Sequence, residues 1–157
     1  MSRAAAEIEA TAVVDAPPDV VFDFLCDLGN HWRLVDRLVT VVSLEGDPPD
    51  RAVVRLRGPL GVRRTVHTHV TASRAPRLLI GVAEMGETRA LVSWTLAPHL
   101  GRHTRVRLAA EVERAGTLDR LLLACGGRAW MRRRFGYGLT RLAERFQPKP
   151  APSPTPA

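Results

Sequence analysis

From Leu38 to Val112 apolar residues recur at every second position, and short turn-forming segments interrupt the pattern. This stretch limits the possible folds more than any other part of the chain. Period-two alternation sends successive side chains to opposite faces of a strand. The interruptions are Gly46-Asp47-Pro48-Pro49-Asp50, Gly58-Pro59-Leu60-Gly61, Ser73-Arg74-Ala75-Pro76, Met85-Gly86-Glu87 and Pro98-His99-Leu100-Gly101, all of turn composition. They delimit six strands, near residues 38–45, 51–57, 62–72, 77–84, 88–97 and 103–113. Connections this short cannot hold a parallel crossover, so the run is an antiparallel meander.

Ahead of it, Ile8 to Val14 suits a further strand. Val20, Val21, Phe24 and Leu25 then fall on one face of a short helix that has proline in its first turn, where the missing N–H costs nothing. Asp27-Leu28-Gly29-Asn30 breaks this helix, and a second short one runs from about His31 to Asp36. The chain closes on a long helix, about Thr117 to Phe146. Leu118, Leu121, Leu122 and Cys125 form one apolar stripe there, and Met131, Phe135, Leu139, Leu142 and Phe146 continue it at three-to-four spacing. The pair Gly126-Gly127 invites a kink. Strand, two short helices, six strands and a long helix make an α+β fold: a curved antiparallel seven-stranded sheet packed on the C-terminal helix. A sheet that curls without closing leaves a pocket between the helix and its concave face.

Composition bounds the function. The chain has 157 residues; residues 1–146 suit one domain, and 147–157 (QPKPAPSPTPA) read as a disordered, proline-rich tail. Cys26 and Cys125 lie far apart, lack metal-type spacing and read as buried free thiols, which fits a reducing cytoplasm. No apolar run is long enough to span a membrane, and no signal peptide is seen. The formal net charge is +7, and Lys149 is the single lysine among 23 basic residues. Seven arginines against Asp119 and Glu144 between Thr117 and Gln147 make the C-terminal helix a surface for an acidic carrier protein, or simply a solvated face. Few aromatics interleave with those arginines and no reader motif is present, which argues against nucleic acid.

The stretch VVDAPPDVVFDFLCDLGNHWRLVDRL, with Val14, Ala16, Pro17, Val20, Val21, Asp27 and Trp32 at the positions that carry the pattern, resembles the opening of the START-like (SRPBCC) polyketide cyclase/dehydrase family. The element order matches that family's helix-grip fold from Ile8 to Phe146. The resemblance implies an internal cavity for a small hydrophobic, polyketide-like molecule. The protein would then act either as a cofactor-free cyclase or dehydratase, or as a non-catalytic carrier or sensor of a lipophilic ligand. It also implies that Trp32 borders the cavity; ordinary core packing is the alternative.

Trp94 shares the more apolar face of its strand with Ala90, Val92 and Leu96, and so points inward. His67 and His69 stand at i and i+2, on one face and roughly 7 Å apart. Two arguments disagree about which face. The apolar set Val62, Val66 and Val70 alternates with the histidines and would place them outside. A four-residue loop from Gly58 to Gly61 would pair Arg55 with Arg64, gathering Val54, Leu56, Thr65, His67 and His69 on the inner face and the arginines on the outer one. Arginines line a sealed cavity only with counter-charges, which favours the second register. His67 and His69 are therefore the candidate acid–base pair. The candidate ligand contacts are Trp32, Val54, Leu56, Thr65, Val92, Trp94, Leu122 and Cys125. The pair lacks a third metal ligand, and no cofactor motif is present.

Overall fold

The computed structural model describes residues 7–148, so the proline-rich tail from Lys149 onward lies outside the described residues. The strands are β1 (Glu7–Val14), β2 (Val39–Gly46), β3 (Pro49–Arg57), β4 (Arg63–Arg74), β5 (Leu78–Met85), β6 (Thr88–His99) and β7 (His103–Arg114). The helices are α1 (Pro18–Leu25), α2 (Leu28–Arg33), α3 (Thr117–Leu122) and α4 (Arg128–Arg145). One seven-stranded antiparallel sheet runs in the order β1-β7-β6-β5-β4-β3-β2. The meander is as the alternation requires, and β1 joins it beside β7.

Helix α1 starts as expected, with Pro18 in its first turn. Helix α2 begins earlier than the sequence suggests. Asp27 acts as its cap, accepting a hydrogen bond from the Gly29 amide at 2.7 Å. The segment expected to break one helix therefore starts the next. The long C-terminal helix is split. Between α3 and α4 the chain opens into a wider, kinked turn at Leu123–Gly127, with Gly126 at φ 101°. A left-handed residue there is what the glycine pair permits.

The split sets which side chains are buried. Leu139 and Leu142 of α4 are fully buried against Val14, Leu25, Leu96 and Val106, each worth about 1.5–3 kcal/mol. Leu118 and Leu121 of α3, expected on the same apolar stripe, are instead exposed (51% and 59%). The kink rotates their face away from the sheet. Helix α4 packs chiefly against β1, while α2 packs against β2 and β3. A second, smaller core of Leu28, Val39, Ala52, Val54 and Val66 forms under α2. The sheet is thus covered at its two edges, and its middle strands stay open beneath the helices.

Candidate functional site

That uncovered middle is a cavity of about 340 Å³, partly open to solvent and almost wholly apolar. The inner faces of the strands supply its floor: Val54 and Leu56 from β3, Val66 and Val70 from β4, Ala83 and Met85 from β5, Ala90, Val92 and Trp94 from β6, and Leu108, Ala110 and Val112 from β7. Helix α2 and the loop after it supply His31, Trp32, Val35 and Leu38, and the C-terminal helices supply Leu122, Trp130, Met131 and Phe135. Trp32, Val54, Leu56, Val92, Trp94 and Leu122 therefore stand in the wall, as the sequence suggested.

The histidine pair is divided: His69 borders the cavity, and His67 does not. Arg57 pairs with Arg63, Leu56 with Arg64, Val54 with Val66 and Val53 with His67. The loop is five residues long, Gly58 to Val62, closed by the Gly58 amide donating to the Val62 carbonyl at 2.7 Å. One extra residue reverses every side chain on β4. His67 and Thr65 are exposed on the convex face. His69 shares their register and borders both the cavity and a shallow convex groove lined by Ser43, Glu45, Arg51 and His67. The alternation of Val62, Val66 and Val70 indicated the right face. Cys125 sits exposed in the kinked turn and Cys26 is half-buried, so neither is the buried thiol expected. Among the described residues no cluster of three metal-binding side chains occurs.

The same register turns Arg64 into the wall, where the sequence argument required a counter-charge. Helix α3 supplies it. Asp119, 7% exposed, accepts hydrogen bonds from the Arg64 guanidinium and the Thr88 hydroxyl. Thr88 Oγ1 in turn accepts from the Gly116 amide at 3.1 Å. Sheet and helix thus meet through a satisfied polar cluster at one end of the cavity. In sequence Asp119 counted only as one of two acids set against the seven arginines of the C-terminal helix, and nothing in sequence placed it opposite Arg64.

His31 is the other residue that sequence reading missed. Its Nε2 hydrogen-bonds the Leu25 carbonyl, and its ring meets Trp94 edge-on, with centroids 5.2 Å apart. Burial lowers its pKa to about 4, against smaller opposing effects of the Leu25 carbonyl and Asp27. The ring is neutral near pH 7. With Nε2 donating to the carbonyl, Nδ1 keeps its lone pair. Beside it, Trp32 presents its ring to the cavity while its buried Nε1 has no hydrogen-bond partner.

The family model for polyketide cyclase / dehydrase and lipid transport matches residues 5–147. The chain belongs to this family. Its fold agrees with solved structures. A Thermus thermophilus protein is 22% identical, with a TM-score of 0.69 over 90% of this chain and 97% of that one. A START superfamily protein from Mycobacterium smegmatis is 11% identical, with a TM-score of 0.64 over 90% and 99%. Another protein from the same organism is 15% identical, with a TM-score of 0.69 over 94% of each. At such identities the likeness concerns the fold. No curated protein shows significant similarity to the chain. As a member of the polyketide cyclase/dehydrase family, the chain has the helix-grip architecture: an α+β open sheet with a long C-terminal helix over its concave face.

Proposed function

We propose that the protein binds one neutral, lipophilic small molecule between the sheet and its C-terminal helices, as a carrier or sensor. The observation that carries this reading is the apolar wall around about 340 Å³ of space, within the range of small-molecule sites. The low polarity of that wall argues for a neutral ligand. Arg64 and Asp119 already satisfy one another, and Arg134, the other charged residue of the lining, lies over the Trp130 ring. The family description, which includes lipid transport, supports the same reading. The test is fluorescence titration with N-phenyl-naphthylamine, a neutral apolar probe. Saturable one-to-one binding is expected, with Ala90→Trp, which fills the cavity floor, weakening it at least tenfold. Absence of saturable binding overturns the reading.

A second reading, turnover as a cyclase or dehydratase, is favoured by one observation. His31 is a neutral imidazole in the cavity wall. Its unprotonated nitrogen has the chemistry to accept a proton from the carbon beside a ligand ketone, leaving an enolate whose carbon attacks a second carbonyl of the same molecule, and the imidazolium then returns the proton to the alkoxide so formed. This role replaces that expected of His67 and His69. Deuterium exchange into tetralone, an enolisable ketone, checks it. Turnover requires that the protein accelerate exchange and that His31→Gln lose the acceleration while still binding the probe. Without acceleration, the carrier reading stands alone.

A further inference from the structure

The end of the molecule where α3 meets the β3–β4 loop exposes four large apolar side chains. Leu60, at the loop tip, is 93% exposed and holds a left-handed φ of 60°, a conformation that favours glycine, not leucine. Val62 is exposed and also lines the cavity, so it stands at the cavity rim. Leu118 and Leu121 are exposed on α3, whose Leu122 lines the same cavity. The Arg64–Asp119 pair ties the start of β4 to the first turn of α3 and keeps these residues at one end.

Arginines lie beside the same loop and on the C-terminal helices. Arg57 and Arg63 flank the loop, Arg120 lies on α3, and Arg128, Arg132 and Arg133 occupy the first turns of α4. All six are exposed, and none has a carboxylate within ion-pair distance among the described residues. Asp119 is consumed by Arg64, and Glu87, in the β5–β6 turn near Gly116, is the nearby acid that remains.

We propose that this rim docks on an anionic lipid bilayer. The leucines would enter the boundary between headgroups and acyl chains, and the arginines would sit among the lipid phosphates. Charge alone would equally suit an acidic protein. The apolar residues decide for the bilayer, because a single leucine on a projecting loop tip needs no shaped pocket to bury itself in lipid. The cavity reaches the same rim, so a lipophilic molecule can pass between bilayer and protein without crossing water. Docking does not require an occupied cavity, so this proposal and the ligand-binding reading fail independently.

The test is co-sedimentation of the full chain with phosphatidylcholine vesicles, with and without phosphatidylserine, at low and physiological salt. Binding to the anionic vesicles alone, weakening as salt rises, is expected. Leu60→Asp combined with Leu121→Asp should reduce it at least tenfold, and Arg132→Ser or Arg133→Ser about fivefold each. Leu100→Asp is the control: Leu100 is 80% exposed, but beyond the far end of β6 from Thr88, and its loss should change nothing. Circular dichroism establishes that each surface variant is folded. Binding to neither vesicle, binding that ignores the leucine substitutions, or binding to acyl carrier protein without vesicle binding would each overturn the proposal.

Discussion

Arg64 and Asp119 place opposite charges in a wall that is mostly apolar, and each depends on the other. Asp119 is nearly sealed, with Arg64 and Thr88 as its donors. Removing the guanidinium leaves a buried carboxylate with one hydroxyl partner. Arg64→Met is therefore expected to cost about 3 kcal/mol in urea unfolding, whereas the double variant Arg64→Met/Asp119→Leu should cost markedly less, because no charge is then stranded. Equal costs for the single and double variants would show that the pair is not coupled. His31 makes a prediction of its own. Its folded pKa of about 4 lies below the ordinary 6.5, so between those values the unfolded chain binds the extra proton. Stability contributed by the neutral ring is fully present above pH 6.5 and falls as pH drops toward 4, by on the order of 1 kcal/mol per pH unit. His31→Gln should flatten that slope in urea titrations across the window.

The kinked turn between α3 and α4 rests on two glycines used differently. A Cβ on Gly127 would lie 2.5 Å from the Leu122 carbonyl oxygen, while one on Gly126 meets nothing but would sit at φ 101°. Gly126→Ala is expected to cost about 1 kcal/mol, for conformational reasons alone. Gly127→Ala should cost more, since backbone must move, and thermal unfolding of the two variants checks the order. The glycine pair and its kink were legible in sequence; the rotation that exposes Leu118 and Leu121 was not, because helical spacing says nothing about where a break resets the face. Strand β4 shows the same limit. Alternation located the strand to within a residue or two. The face depended on loop length, and a leucine in a left-handed conformation gave no sign that the turn held five residues instead of four. Pattern and register disagreed at His67, and the pattern was right because Arg64 has a partner some fifty residues away that local reasoning could not supply.

In the molecule as a whole, two separate cores flank an open stretch of sheet, and that arrangement is what makes room for a ligand. Element order and the Val-x-Ala-Pro opening were enough to indicate the architecture, since both depend on local chemistry: turns, caps and alternation. The polar features of the site were not legible, because Asp119, Thr88 and Arg64 come from three distant elements and His31 from a helix whose start was misplaced. The central claim is that the concave face, not the convex one, receives the ligand. Chemical-shift mapping of the methyl-labelled protein with N-phenyl-naphthylamine tests it most directly. The account predicts the largest changes at Val54, Val66, Val92, Leu122 and Met131, with Val53, beside His67 on the convex face, unmoved. Changes centred on Val53 and the groove around His67, with the cavity methyls silent, would contradict it.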